Sequence, residues 1–199
     1  MKSVRMSGWA AAVLLAVGAG AMQAQVKEFK IDPNHSEADF SIKHLGVSTV
    51  HGSLHGVNGT VKFDPADPTK SSVEATIDVT TVSTGVAARD THLKSPDFFD
   101  TAQFSTMTFK STSVSKVSGG YAITGDLTMH GVTKVVVLNL ETPGKEEVDA
   151  KGKAHRGFVA TTTINRRDFG LKWGGALPSG DAMVGDDVKI EIDIEAAQV

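Results

Sequence analysis

His35-Ser36-Glu37-Ala38-Asp39-Phe40-Ser41-Ile42-Lys43-His44 puts Ala38, Phe40 and Ile42 on one side of an extended chain and Glu37, Asp39 and Lys43 on the other. Successive strand side chains point to opposite faces, so this period of two marks a strand with one buried face. The pattern repeats on either side. Lys27 to Ile31 is a short strand ended by Asp32-Pro33, and Val50 to Phe63 reads as one or two strands interrupted by Gly52, Gly56 and Gly59. Glycine within a strand pattern signals a bulge, a barrel corner or a close backbone approach. Val73 to Val79 follows, with Val73, Ala75, Ile77 and Val79 on one face.

Alternation stops over Val86 to Ser95, where Ala87, Ala88, Leu93 and Lys94 favour a short helix that Pro96 ends; Asp97 to Asp100 reads as another helical turn. Strands are expected again at Thr106–Val117, Tyr121–Met129, Val132–Glu141, Gly157–Ile164 and Asp187–Glu195. Lys145–Lys153 and Gly174–Asp187 read as long connections. Many antiparallel strands with short turns and one helix make an all-β sandwich or barrel. Closure removes exposed edges, and eight strands enclose just enough space for one small ligand.

The amino terminus reads as an export signal. Lys2 and Arg5 precede the uncharged run Trp9–Gly20, and Ala19, Ala21 and Ala24 offer small residues for cleavage. That run of 12 residues is short of the ~20 needed to span a bilayer. The expected division is a signal peptide at 1–24 and one domain at 25–199, placed in the periplasm or secreted. Loss of Lys2 and Arg5 leaves 18 basic against 23 acidic residues, a net −5. This acidic balance disfavours nucleic acid as a partner. The chain has no cysteine, which removes thiolate catalysis, cysteine metal sites and an amino-terminal lipid anchor.

Seven histidines invite a metal reading. His51 and His55 are four apart, but four strand residues span roughly 13 Å, so they do not share one ion. The expectation is therefore no metal site and no cofactor. No Gly-x-Ser-x-Gly elbow or phosphate-binding glycine loop occurs. Arg89, Asp90 and His92 form a polar group on the helical segment, either as a contact at the barrel mouth or as an Arg89–Asp90 clamp holding the helix. Arg166-Arg167-Asp168 offers an arginine for Asp168, a buried carbonyl or a phosphate.

Taken together, the motif blocks resemble the YceI-like family. They are Ile31-Asp32-Pro33-Asn34-His35-Ser36 with Phe40 and His44; Arg89-Asp90-Thr91-His92-Leu93-Lys94-Ser95 with Phe98-Phe99-Asp100; and Phe109-Lys110-Ser111. Gly125-Asp126-Leu127-Thr128-Met129-His130-Gly131-Val132-Thr133-Lys134, Gly157-Phe158, Arg166-Arg167-Asp168-Phe169-Gly170 and Val184-Gly185-Asp186-Asp187-Val188 complete the order. Two positions depart from it: Ser105 and Val135 stand where the family commonly has proline. The resemblance implies an extended, eight-stranded, lipocalin-like antiparallel barrel that holds an isoprenoid or other long-chain lipid, in periplasmic or secreted proteins often seen as dimers.

The expected wall of the binding space comprises Phe40, Ile42, Leu54, Ile77, Phe109, Leu127, Met129, Phe158 and Ile164, with His44, Arg89, His92 and Arg166 as polar candidates. Two rival readings remain at this point. One is a lipid-modifying enzyme using His35, Asp90 or His92; the other is a filled barrel that works through its outer surface.

Overall fold

The alternation is realised as eleven strands and one helix in the computed structural model, which describes residues 26–199. The expected signal peptide lies outside the described residues. In chain order come β1 (Lys27–Ile31), β2 (Glu37–His44), β3 (Ser48–Leu54), β4 (Asn58–Phe63), β5 (Ser72–Asp78), α1 (Ala87–Lys94) and β6 (Thr106–Val117). Then follow β7 (Gly120–Met129), β8 (Val132–Glu141), β9 (Glu147–Val148), β10 (Ala154–Asn165) and β11 (Val184–Gln198).

Eight strands make a closed antiparallel ring, in the order β1, β4, β5, β6, β7, β8, β10, β11 and back to β1. The β2–β3 hairpin prolongs this ring upwards. β11 pairs with β1 through Ala196–Gln198 and with β2 through Val184–Asp193, so β1 and β2 share one side of the same long strand. The predicted Val50–Phe63 unit is two strands, β3 and β4, parted at His55-Gly56-Val57, where Gly56 has φ +68°. Only a residue without a Cβ takes that conformation at little cost.

Turn chemistry sets the register elsewhere. His130 and Gly131 lie between β7 and β8 with φ of +51° and +73°. Two residues in the left-handed region make the tight hairpin turn whose twist matches that of the strands. His130 is held there by its ring, with Nδ1 3.2 Å from the Phe169 carbonyl and the ring 4.7 Å from that of Phe104.

The inner face is aliphatic and aromatic. Around the upper end, defined as the end carrying α1, Val79, Val82, Met107, Met129, Phe169 and Leu171 are buried together. Phe29, Val61, Phe63, Phe158, Ile194 and Ala196 pack in the lower half. Burial of such side chains contributes about 1.5–3 kcal/mol each for the larger ones, the dominant favourable contribution to folding.

Four expectations about local structure are corrected. Lys145–Lys153 is not wholly a loop, since β9 pairs with the start of β10. The Gly174–Asp187 connection ends early because β11 starts at Val184, where His44 pairs with it across a bulge. Strand β10 starts at Ala154 rather than Gly157. Asp97–Asp100 forms turns rather than a helix, closed by the Phe98 and Asp100 amides donating to the Ser95 carbonyl. Of the two positions without the family's usual proline, Ser105 uses its carbonyl to accept the Val79 amide, and Val135 lies exposed on the outer face of β8.

Candidate functional site: a cavity along the barrel

Strand parity sends one face of every strand inward, and the inward faces enclose a cavity of about 660 Å³. That lies within the ~300–1,000 Å³ range of small-molecule sites. Among the described residues, all thirteen sequence candidates border it. Phe40, Ile42 and His44 reach it from β2, Leu54 from β3 and Ile77 from β5. Phe109 comes from β6, Leu127 and Met129 from β7, and Phe158 and Ile164 from β10. Arg89 and His92 of α1 and Arg166 after β10 border its upper end.

Other wall residues escaped the sequence reading. Val188, Ile190, Ile192 and Ile194 of β11 line the cavity, alternating with Lys189, Glu191, Asp193 and Glu195. That alternation was a sufficient signal. The run Val135-Val136-Val137 gave none, because three valines have no parity; Val136 faces in, while Val135 and Val137 are exposed. Trp173 also had no periodic signal, since it sits in an irregular connection. It reaches the upper end beside His92 and Phe98, with ring centroids 5.0 and 5.1 Å away.

The polar groups at the upper end do different things. Thr84 stands between Arg89 and Asp90, so the anticipated direct clamp is replaced by a relay. Arg89 Nε donates to Thr84 Oγ1 at 2.7 Å and Nη2 to the Thr84 carbonyl at 3.1 Å. The Asp90 carboxylate in turn accepts from the Thr84 amide at 2.8 Å and from its hydroxyl. Arg89 Nη1 has no hydrogen-bond partner among the described residues, and Arg89 is one of the residues that border the cavity. His92 Nε2 lies 2.8 Å from an Asp97 carboxylate oxygen.

Arg166 is an anchor for the loop around it. It donates from Nε to the Gly185 carbonyl at 2.8 Å, from Nη1 to Leu171 at 2.6 Å and from Nη2 to Val184 at 3.2 Å. Its ion partner is Asp186, at 3.3 Å, not Asp168. Burial lowers the guanidinium pKa and Asp186 opposes that shift. Such a side chain, with its donors committed to carbonyls, has little left for a headgroup; of the polar candidates Arg89 is better placed.

At the lower end, inward parity on β10 carries a charged residue that the sequence reading passed over. Arg156 lies over the Phe63 ring at 4.6 Å and donates to the Gly144 carbonyl at 2.5 Å. Glu146 lies 3.6 Å from Arg156 and 2.7 Å from Lys27 Nζ. The hydrogen bond from Lys27 holds the Glu146 carboxyl below the usual range. Phe63 and Phe158 meet edge to face at 5.8 Å in the lower part of the cavity wall. Aromatic packing is thus confined to part of the interior, and the filled-barrel reading does not describe it.

The enzymatic reading named His35, Asp90 or His92. They are not brought together: Asp90 engages Thr84, His92 engages Asp97, and His35 lies on an outer turn 3.0 Å from Asp32. Among the described residues, no helix is long and apolar enough to cross a membrane.

Known proteins share this architecture. The protein YceI of Escherichia coli O157:H7 is 41% identical over 151 residues, covering 75% of this chain and 78% of that protein. The crystal structure of Burkholderia cenocepacia BcnA superimposes with a TM-score of 0.71 at 25% identity, covering 83% of this chain and 98% of the other. A polyisoprenoid binding domain from Saccharophagus degradans, implicated in plant cell wall breakdown, shares the fold at a TM-score of 0.59 and 15% identity, over 88% of this chain and all of that one. The YceI-like domain profile matches residues 29–196, and the chain belongs to the YceI-like family.

Proposed function

We propose that this protein binds and carries a long apolar chain of isoprenoid type within the barrel, in the periplasm after export, and acts as a binding protein rather than an enzyme. The observation that carries the reading is the largely apolar wall around a 660 Å³ cavity, with Arg89, His92 and Arg166 at the α1 end. The polyisoprenoid-binding relative of the same fold supports it. The Lys2–Gly20 segment supports export.

The energetics suit a tail-holder. Each buried CH₂ contributes about 0.8 kcal/mol, so a five-carbon isoprene unit contributes at most about 4 kcal/mol. A few units would reach the practical affinity ceiling near 20 kcal/mol were the ordering of a flexible chain not opposed to it. Such a site tolerates different tails and takes its preference from length and from the groups at one end. Arg89, which borders the cavity and whose Nη1 has no hydrogen-bond partner among the described residues, is the group that would meet an anionic or hydroxyl head.

Organic extraction of the purified protein followed by mass spectrometry tests this. A co-purifying polyprenyl or similar lipid, or stoichiometric uptake of added polyprenyl lipid by lipid-free protein, is the expected result. Protein that holds no lipid and takes up none overturns the reading.

A further inference from the structure

The block Asp32-Pro33-Asn34-His35-Ser36 takes no part in the cavity wall, yet it is tightly built. We propose that Asp32, His35 and Glu195 form a binding site for a divalent cation of the zinc type on the outer wall of the barrel.

The donors converge from two segments. Asp32 and His35 lie on the turn between β1 and β2, and Glu195 projects from β11 beside it. One ligand atom from each lies within 4.8 Å of the others. His35 Nδ1 and Asp32 Oδ2 are already 3.0 Å apart. Ligands on one zinc ion, at bond lengths of about 2.0–2.2 Å, stand roughly 3–4 Å from one another. Small side-chain rotations therefore close the site.

The backbone beneath the donors is pinned. The Asp32 amide donates to the Glu195 carbonyl at 2.9 Å. The buried Ser36 hydroxyl donates to that carbonyl at 3.2 Å and accepts from the Glu195 amide at 3.0 Å. The turn and the strand that carry the ligands are thus fixed relative to each other before any ion arrives, which lowers the ordering cost of binding.

A second layer orients Glu195. His155 Nδ1 lies 2.9 Å from Glu195 Oε1, while its Nε2 lies 3.3 Å from an Asp149 oxygen. Carboxylates that ligate metals are themselves held by outer hydrogen bonds, and His155 is placed to hold Glu195 in this way. His35 and Glu195 border a polar cleft also lined by Lys145, Glu147 and Arg156. Two carboxylates balance the charge of a divalent ion, and Arg156 is engaged by Glu146.

The donor set selects the class of ion. One imidazole and two carboxylates, with a position left for water, suit zinc and its borderline neighbours. Calcium asks for six to eight oxygens, which this cluster does not supply. The ion would clip the β1–β2 turn to the strand that closes the barrel. Because the folded chain would bind it and the unfolded chain would not, it would raise thermal stability.

Isothermal titration of tag-free protein with zinc chloride tests the assignment, with circular dichroism to verify folding. The wild type should bind one ion saturably and gain in Tm; His35→Ala and Glu195→Gln should each lose both effects, and His51→Ala should lose neither. His155→Ala should weaken binding by about tenfold to a hundredfold, as for a positioning residue. Magnesium and calcium should not compete. Absence of saturable binding by the wild type, or binding that survives both ligand substitutions, overturns the proposal. If His35→Ala unfolds, the decision rests on Glu195→Gln and on whether zinc perturbs the His35 imidazole resonances in the wild type; unperturbed resonances overturn it. Lipid content plays no part in these readouts, so they stand apart from the proposed cavity function.

Discussion

Phe40 lies across the Cα of Gly52, its partner in the β2–β3 ladder, filling the space a Cβ on Gly52 would take. An aromatic ring over a cross-strand glycine is a way to cover exposed backbone in a strongly curved sheet. Here it also sets the wall of the cavity near the mouth. The Ser83 carbonyl stands 2.8 Å from the same Cβ position, so the crowding is not relieved by moving the ring alone. Gly52→Ala should cost about 1–3 kcal/mol, the usual penalty of overpacking. Urea denaturation measures it, and lipid uptake should fall with the displaced ring.

Ile77 borders the cavity from the middle of the wall, packed against both the upper and the lower apolar clusters. Ile77→Trp should occupy the space of the tail without opening a hole elsewhere. The expected outcome is loss of polyprenyl uptake with a near-normal fold by circular dichroism. Undiminished uptake would show that the tail does not run past Ile77.

Arg89 should act at the head rather than the tail. Arg89→Ala is expected to reduce the preference for a phosphorylated over a neutral polyprenyl lipid by about tenfold, the equivalent of roughly 1.4 kcal/mol. Uptake of the neutral lipid should persist. Competition between the two lipids, read by mass spectrometry, checks this.

The Arg166 guanidinium organises the segment from Leu171 to Gly185 through three carbonyls. Arg166→Met would leave those acceptors without donors, at a cost of about 3 kcal/mol. Arg166→Lys should recover only part of it, because an ammonium lacks the planar fork. Hydrogen exchange in 171–185 should rise in both variants before exchange in the barrel strands does.

Asp32 and His35 make a pH-dependent pair. The hydrogen bond between them raises the His35 pKa and lowers that of Asp32. The His35 contribution is present below its ordinary value, about 6.5, and is lost as pH rises through the raised value. The Asp32 contribution is present above its ordinary value, about 3.9, and is lost as pH falls through the lowered one. The pair therefore stabilises most between those two ordinary values. His35 is solvent-exposed and Asp32 half-buried beside it, so the gain is screened by salt. In metal-free protein, NMR titration should place the His35 midpoint above 6.5 in the wild type and lower in Asp32→Asn.

Much of the barrel was legible because a half-buried strand writes its two faces into alternate residues. Glu37–His44 shows this, and the thirteen candidate residues all border the cavity because parity and motif position together define an inward face. What was not legible depends on partners distant in sequence. The Val184–Asp187 start of β11, with its two aspartates, is polar enough to read as loop and is a strand through pairing of Val184 with β2 and Asp187 with β10. The two residues of β9 have no pattern to show. Arg156 was legible in principle, because Ala154, Phe158 and Ala160 share its parity, but a charged residue is easily assigned to the outside. The convergence of His35 with Glu195 could not be seen at all, since 159 positions separate Ser36, which staples the turn, from Glu195.

The last strand, β11, is the one that meets the first two, β1 and β2, and so closes the ring. A chain made from its amino terminus can therefore form the β4–β8 meander early, from neighbours, but keeps two open strand edges until Val184–Gln198 arrive. Closing a loop that spans the whole domain is the slow kind of step, and open edges are where chains pair wrongly with one another. Synthesis order thus gives the barrel a period as an open trough. During that period its apolar face is accessible along its whole length, to a lipid as well as to another chain.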